Sequence, residues 1–245
     1  GLILVAGPTG SGKTTSLYAC LDEVKSSEVN IVTVEDPVER KIEGINQVQV
    51  NPKAGLTFEN GLRSILRQDP DIMMIGEIRD PQTAKIAVSS AITGHLVLST
   101  IHTNDTATAI NRLVDMGIEP YLLSSSILGI IAQRLVRKTC PHCREAYLPD
   151  ASLKPILGDF EGPLYRAKGC PECNNFGYKG RTAVFEIMPI DNQMRIMIEE
   201  KRTANELKQH AIKQGMSTLG QNALELVKSG QTTLEEYYRV IYNIN

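Results

Sequence analysis

A glycine-rich octapeptide, GPTGSGKT at residues 7–14, constrains the fold of this 245-residue chain more than any other feature. It fits the pattern GxxxxGK[ST] and stands between an apolar run and an amphipathic stretch, as a phosphate-binding loop requires. Its glycines allow successive backbone N–H groups to point at phosphate oxygens, and the following helix N-terminus adds a favourable dipole. A chance glycine-rich turn would not bring both flanking elements. The sequence therefore predicts a nucleotide site built on Gly7, Pro8, Thr9, Gly10, Ser11, Gly12, Lys13, Thr14 and Thr15.

Four short apolar runs have the continuous character of buried parallel strands. Helical patterns separate the runs, with apolar residues at i, i+3, i+4 and i+7. This alternation predicts an α/β sandwich with a parallel-rich sheet. Val48 and Val50 alternate with polar neighbours, which predicts a small antiparallel addition near residues 42–51. The predicted strands are residues 2–6, 31–34, 72–75 and 96–101, and the intervening helices lie near residues 17–24, 58–66 and 83–93.

The amino-acid composition changes in the second half of the chain. Helices are predicted over about residues 105–116 and 121–137, after which residues 140–180 are rich in Cys, Pro and Gly. A strand is predicted at 182–188, and helices follow from residue 191, one of them opened by the capping box Thr203/Glu206. The sequence thus predicts three parts, which are a nucleotide-binding core at 1–139, a tetracysteine module at 140–180 and a mostly helical subdomain at 181–245.

Acidic residues at the carboxyl ends of two predicted strands are candidates for the chemistry. Such ends form the ligand crevice of open α/β sheets. Glu35 and Asp36 follow the strand at 31–34, and Glu77 follows the strand at 72–75. A carboxylate there can orient water or hold Mg²⁺ together with Thr14, while Lys13 reaches the β- and γ-phosphates of ATP. The alternatives are a turn cap before Pro37 for the first two and an ordinary loop acid for Glu77.

Two histidines flank the predicted strand 96–101. His102 follows its carboxyl end, where it can sense the γ-phosphate by hydrogen bonding, whereas His95 precedes the strand. An odd separation of seven residues points them to opposite faces of a regular strand, so we expect different roles. A satisfied loop histidine remains the alternative for each. Gly76 occupies the position where the common second nucleotide motif has Asp.

Four of the five cysteines form two pairs, Cys140/Cys143 and Cys170/Cys173, with 26 residues between the pairs. Two CxxC pairs can supply four thiolates to one tetrahedral Zn²⁺, and a site without an open position is structural. Redox or unpaired thiols are the alternative. His142 is not expected to replace a cysteine. Cys20 lies on the apolar stripe of the first helix and is predicted to belong to the core.

Charge and hydropathy exclude several classes. The formal net charge is −2 and the chain has no basic stripe, so a nucleic-acid partner is not expected. No apolar run of ~18 residues indicates a membrane span, and no signal peptide is evident. Paired cysteines without an export signal favour metal binding in the cytosol. Because the first strand begins directly after Gly1, we interpret the sequence as a fragment.

The motifs resemble those of the ATPases of type II secretion and type IV pilus assembly, the GspE–PilB group. The resemblance covers essentially the whole chain. It is carried by GPTGSGKTTSLY (7–18), TVEDPVE (33–39), LRQDPDIMMIGEIRD (66–80), TGHLVLSTIHTND (93–105), IAQRLVRK (131–138) and the two cysteine pairs.

The resemblance implies a RecA-like core and an ATP-driven homohexamer on the cytoplasmic face of the bacterial inner membrane. It implies an inner-membrane platform protein and the cytoplasmic domain of a membrane-anchored component as partners. Glu77, Glu35, His102, His95 and Arg79 would be catalytic, with the roles of the two glutamates undecided, and Thr14 and Asp36 would hold Mg²⁺. Arg79 would contact a neighbouring subunit, or pair with Asp80 or Asp36. The family's second Walker motif has GE at positions 76–77.

The resemblance also implies that an N-terminal lobe helps to close over ATP, so this piece alone should bind nucleotide weakly. The four cysteines favour an assembly motor over a retraction motor, and the stretch 116–126 weakly favours secretion. Three other functions remain open. A DNA-translocating ATPase predicts basic pore loops, which the net charge disfavours. A nucleotide-gated scaffold, or a zinc-binding module fused to an inactive ATPase, predicts no useful turnover.

Overall fold

The structure is a computed structural model that describes residues 1–242. The strands are β1 (Leu2–Ala6), β2 (Ile31–Glu35), β3 (Asn46–Gln49), β4 (Ile72–Ile75), β5 (Leu96–Ile101), β6 (Ile127–Thr139), β7 (Arg144–Tyr147), β8 (Leu164–Ala167) and β9 (Tyr178–Pro189). The helices are α1 (Lys13–Val24), α2 (Phe58–Ile65), α3 (Pro81–Ile92), α4 (Thr106–Asp115), α5 (Pro120–Ser126), α6 (Lys154–Leu157), α7 (Asn192–Glu199), α8 (Ala204–Lys213), α9 (Leu219–Lys228) and α10 (Leu234–Ile241).

The chain divides into two compact units, and each unit is made of two separate segments. The first unit combines residues 1–132 with 187–216, and the second combines residues 133–186 with the chain from 217 onward. The boundaries predicted at residues 140 and 181 describe sequence modules, and they stay a prediction.

A mostly parallel sheet with the strand order β3-β2-β4-β5-β1-β6-β9 forms the framework of the α/β fold. Neighbouring parallel strands point in the same direction: Leu4 of β1 lies opposite Ser99 of β5, and Val34 of β2 lies opposite Ile75 of β4. Their carboxyl ends therefore meet at the same edge, where β1 leads into the phosphate loop. The mixed α/β fold predicted from the sequence is confirmed.

The four apolar runs form strands at the predicted positions. Every residue of β2 and of β4 is buried, as expected for parallel strands covered on both faces. The segment at 42–51 differs from the prediction, because β3 pairs with β2 in parallel rather than antiparallel. Hydrophobic alternation marks one exposed face of an edge strand but carries no information about the direction of its neighbour.

The inner face of α1 is rotated from the predicted stripe. Leu17, Tyr18 and Leu21 are buried and pack in one cluster with strand residues, whereas Cys20 is exposed and Val24 is 39% exposed. At 100° per residue, a face centred between Leu17 and Tyr18 leaves position 20 on the outside. The prediction that Cys20 belongs to the core is therefore wrong.

The helix predicted at residues 121–137 is also wrong beyond its first turns. Helix α5 ends at Ser126, and the strand β6 begins at Ile127 and pairs in parallel with β1. Periodicity alone does not distinguish a buried helix from a buried strand, and the β-branched residues of the sequence ILGIIAQRLV favour the strand. The strand at 182–188, the helices from residue 191 and the capping box at Thr203 are confirmed.

The second unit contains the later part of β6, the antiparallel pair β7–β8, and the helices α9 and α10. At its centre the fully buried carboxylate of Glu236 accepts hydrogen bonds from both Arg137 and Arg239. Although burial raises the pKa of Glu236, these hydrogen bonds bring it down to about 2. Among the residues the structure describes, no helix has the length and apolar character needed to cross a membrane.

Candidate nucleotide site and cysteine cluster

The phosphate loop links β1 to α1 through two glycines in the left-handed region. Gly10 has φ 77° and Gly12 has φ 86°, conformations that side-chain-bearing residues rarely adopt. Gly12 is the N-cap of α1, so the first backbone N–H groups of the helix face the loop. Lys13 is only 8% exposed, and its Nζ donates to the carbonyl oxygens of Gly7 and Pro8 at 2.9 Å each. The loop has the form of an anion cradle.

A cleft of about 770 Å³ opens along this loop at the carboxyl edge of the sheet. It is wide enough for a nucleotide-sized ligand. The cleft is lined by most of the residues predicted for the site, namely Thr9, Gly10, Gly12, Lys13, Thr14, Thr15, Glu35, Asp36, Glu77, Arg79 and His102. Gly7, Pro8 and Ser11 belong to the loop behind this lining.

Glu77 lies at the floor of the cleft, with its side chain 11% exposed. Its carboxylate accepts a hydrogen bond from Arg79 Nε, and its Oε2 atom is 3.4 Å from His102 Nε2. Arg79 therefore pairs with Glu77, rather than with Asp80 or Asp36. Asp80 instead caps α3 by accepting from the backbone N–H of Thr83 at 2.9 Å. The side chain of Arg79 remains 70% exposed.

The charge state of His102 follows from its surroundings. Partial burial and the neighbouring Lys13 ammonium lower the pKa of His102 below its usual 6.5, and Arg79 acts in the same direction. The Glu77 carboxylate opposes this shift without overcoming it. His102 is therefore neutral at pH 7, and it can donate one hydrogen bond to a phosphate oxygen while accepting another.

Glu35 ends β2 at the opposite wall of the cleft and is only 1% exposed. Its carboxylate accepts hydrogen bonds from Tyr18 Oη at 2.5 Å, Thr33 Oγ1 at 2.6 Å and Gln47 Nε2 at 3.1 Å. The sequence-based prediction missed these three donors. The one feature of the sequence that could have indicated them is Tyr18, a polar aromatic residue beside the apolar stripe of α1. Asp36 is exposed at the mouth of the cleft.

Gly76 explains the departure from the common second nucleotide motif. A Cβ atom at this position would lie 3.3 Å from both the Cα of Glu35 and the carbonyl oxygen of Val34. The backbone of Gly76 also donates to Val34 O at 2.8 Å, and its carbonyl accepts from Thr100 Oγ1 at 2.7 Å. The close packing of β2 against β4 therefore favours glycine immediately before Glu77.

His95 lies outside the cleft. It precedes β5, so it stands at the amino edge of the sheet, about 20 Å of strand away from His102. Its Nδ1 atom is 3.0 Å from Ser90 O, and its carbonyl accepts from the Gly1 amino group at 2.8 Å. The structure thus does not bring His95 to the other predicted site residues.

The four predicted metal-binding cysteines converge in the second unit. The sulfur atoms of Cys140, Cys143, Cys170 and Cys173 all lie within 4.8 Å of one another. Three of the separations are 3.8–3.9 Å. A tetrahedral Zn²⁺ with Zn–S bonds of about 2.3 Å requires sulfur–sulfur edges of about 3.8 Å. The donor set and its spacing therefore fit a structural zinc ion.

Backbone N–H groups support these sulfur atoms. Gly169 N donates to Cys143 Sγ at 3.3 Å, and Gly177 N donates to Cys173 Sγ at 3.2 Å. Although burial raises the pKa of the Cys173 thiol, N–H groups of Cys170 and Gly177 lower it to about 7. Such N–H donors stabilise the thiolates that bind a metal. Position 177 favours glycine, because its φ is 74° and a Cβ atom there would lie 2.7 Å from Ala167 Cβ.

Comparison with known proteins agrees with this geometry. The family described as "Type II/IV secretion system protein" matches residues 1–239. The chain belongs to this family. The Type II/IV secretion system protein family thus accounts for nearly the whole chain, including the phosphate loop and the cysteine cluster.

The relatives within the family act in two settings. The type II secretion system protein E of Pseudomonas aeruginosa is 54% identical over 243 residues, which cover 98% of this chain and 48% of that protein. The type IV pilus assembly ATPase PilB of Thermus thermophilus is 48% identical over 241 residues, covering 96% of this chain and 27% of PilB. This chain therefore spans about half, or less, of the length of these relatives.

A solved structure confirms the fold. The crystal structure of the pilus retraction motor PilT with bound ADP superimposes with a TM-score of 0.71 at 32% sequence identity. The match covers 97% of this chain and 60% of the PilT chain. The mostly parallel α/β architecture is thus shared with a motor that binds a nucleotide.

Proposed function

We propose that this chain is the ATP-hydrolysing part of a hexameric motor that drives assembly of a type IV pilus or of the pseudopilus of type II secretion. The arrangement around the cleft carries the proposal. The phosphate loop with Lys13 lies on one side, and the two glutamates Glu35 and Glu77 lie at neighbouring strand ends beside it. A site that only binds a nucleotide does not require two carboxylates and a neutral His102 around the γ-phosphate position.

Each residue has a defined task in this proposal. The N–H groups of the loop and the Lys13 ammonium hold the phosphates, and His102 donates a hydrogen bond to the terminal phosphate. Glu35 and Glu77 orient the attacking water and the metal shell, while Arg79 supplies positive charge at an exposed position. Thr14 and Asp36 would hold Mg²⁺, which neutralises phosphate charge when bound. His95 has no contact with the cleft in this chain, so a catalytic role for it would require a neighbouring subunit.

The cysteine cluster has a structural role in the proposal. All four thiolates are committed to one centre, so no open position remains for a substrate. Zinc would order the segment between β6 and β9, which is too short to form a core of its own. In this proposal the segment therefore stabilises the structure and takes no part in ATP hydrolysis.

The similarity to secretion and pilus-assembly ATPases supports a proposal for the wider assembly. We infer a homohexamer at the cytoplasmic face of the bacterial inner membrane, in contact with a platform protein and with the cytoplasmic domain of a membrane-anchored secretion or pilus component. No nucleic acid is expected, because the net charge is −2. The proposal covers both secretion and pilus assembly, since relatives from the two settings are 54% and 48% identical to this chain.

The test is phosphate release from ATP by the full-length protein, with and without its membrane platform, for the wild type and Glu77→Gln. We expect turnover by the wild type, and a variant that still binds ATP but turns over at least about 100-fold more slowly. Tight ATP binding without turnover by either protein would instead identify a nucleotide-gated scaffold. Stimulation of turnover by single-stranded DNA would favour a DNA translocase.

A further inference from the structure

Within residues 1–242, the side chains that donate hydrogen bonds to the carboxylate of Glu35 are all neutral. Tyr18 donates to its Oε2 atom, whereas Thr33 and Gln47 both donate to Oε1. Glu77 differs, because it is paired with the guanidinium of Arg79 and lies beside His102. The two glutamates of the cleft therefore have different hydrogen-bond partners: a guanidinium donates to Glu77, whereas neutral side chains donate to Glu35.

The hydrogen-bond geometry leaves one acceptor position open. An ionised carboxylate has about four lone-pair positions, two on each oxygen. Among the residues that the structure describes, two donors occupy Oε1 of Glu35 and one donor, Tyr18, occupies Oε2. The remaining position lies on Oε2, the oxygen whose orientation the Tyr18 hydroxyl determines.

Tyr18 is itself fixed on both sides. Its hydroxyl donates to Glu35 and accepts from the backbone N–H of Glu39 at 3.2 Å, so both capacities of the phenol are used. The guanidinium of Arg40 lies over its ring, 5.6 Å from the centroid. Burial, reinforced by the Glu35 contact, raises the pKa of Tyr18 to about 12, so the phenol remains a donor at neutral pH.

Tyr18 also belongs to the helix that carries the phosphate loop. It follows Lys13 by five residues on α1 and is 3% exposed, packed in the cluster with Leu17 and Leu21. A displacement of the loop helix is therefore transmitted to the Glu35 carboxylate through one short hydrogen bond.

We propose that Tyr18 is a positioning residue for ATP hydrolysis, which holds Oε2 of Glu35 at a fixed place relative to the phosphate loop so that its remaining lone pair faces the attacking water. Gln47 fixes the other oxygen from β3, because its amide bridges Glu35 Oε1, the carbonyl of Arg40 and the N–H of Ile42. The proposal rests on the proposed ATPase function.

A purely structural role for Tyr18 predicts a different result. Loss of packing lowers the melting temperature but leaves the turnover of the folded protein unchanged. Loss of positioning lowers kcat while the KM for ATP stays nearly constant, because the phosphates are bound by other residues.

The experiment compares the full-length wild type with Tyr18→Phe, which keeps the ring and removes only the hydroxyl. We expect kcat to fall about tenfold, as for the loss of one hydrogen bond to a charged group. The KM for ATP should change less than about twofold, because the residues that bind the phosphates are unchanged. Tyr178→Phe is the matched control, because its hydroxyl bonds Thr233 in the second unit at 2.8 Å, far from the cleft residues in sequence.

A second variant keeps the test decisive if Tyr18→Phe does not fold. Gln47→Met removes a donor to the same carboxylate from a partly exposed position, and it should show the same split between kcat and KM. An unchanged kcat in the folded variants would overturn the positioning role. Absence of turnover in the wild type would overturn the proposed ATPase function instead, so the two failures are distinguishable.

Discussion

His102 and Glu77 face each other at the ends of two adjacent parallel strands, with Nε2 of the histidine 3.4 Å from Oε2 of the glutamate. This contact does not make the pair an ordinary ion pair, because Lys13 and Arg79 flank the imidazole with positive charge. The structure therefore couples the protonation of His102 to the three charged side chains around it.

We expect His102 to titrate below pH 6.5 in the folded protein, since burial and Lys13 lower its pKa. Lys13→Met should raise the titration midpoint, and Glu77→Gln should lower it further, because these charges act in opposite directions. NMR titration of the imidazole resonances, assigned with His102→Gln, measures the midpoint. A midpoint above 6.5 in the wild type would contradict the described surroundings.

In the full-length protein, replacement of Lys13 by alanine should abolish nucleotide binding at micromolar concentrations. The ammonium is held next to the loop by Gly7 and Pro8, so it is preorganised for the phosphates. Titration with a fluorescent ATP analogue measures the affinity, and Lys85→Ala, a change at an exposed position of α3, is the control. Retention of full activity by the Lys13 variant would disprove the phosphate-loop assignment.

The cysteine cluster should hold about one zinc ion per chain. Cys140→Ser should lose the metal and increase hydrogen exchange across residues 140–180, while the phosphate loop keeps its protection, because the cluster lies in the second unit. Metal analysis and hydrogen-exchange mass spectrometry measure these effects. Cys20→Ser, which removes an exposed thiol outside the cluster, should keep the zinc. A wild type with far less than one zinc would refute the site.

A methyl group at position 76 should disturb both stability and catalysis. The Cβ atom of Gly76→Ala would lie 3.3 Å from the Glu35 backbone, so β2 and β4 must separate slightly. We expect a loss of about 1–3 kcal/mol in unfolding free energy, together with slower turnover. Gly220→Ala is the control, since its nearest neighbouring atoms are 3.8 Å away and the change improves helix propensity. Equal stability of the two variants would contradict the close approach.

The sheet was predictable because parallel strands are buried on both faces and read as continuous apolar runs. The same property misled the interpretation of residues 121–137, where a buried strand and a buried helix have similar composition. The direction of β3 was not predictable, since alternation of Val48 and Val50 reports burial and not the orientation of the partner strand.

The position of a residue in the cleft was predictable where it depends on a local motif or on the end of a strand, as for Lys13, Glu77 and His102. His95 shows the limit of this reasoning, because a strand has two ends and only one edge of the sheet forms the cleft. Tyr18 and Gln47 were missed for another reason. Their contact with Glu35 joins α1, β2 and β3, and this proximity exists only after the strands have taken their order in the sheet.

The interleaving of the two units has a consequence for synthesis of the protein. The first unit includes residues 187–216, with helices α7 and α8, so it lacks part of its structure until residue 216 has left the ribosome. By then the ribosome has already released residues 133–186, which belong to the second unit. A protein truncated after residue 139 would contain every residue that lines the nucleotide cleft, but its first unit would lack residues 187–216. Such a fragment is expected to aggregate rather than to fold.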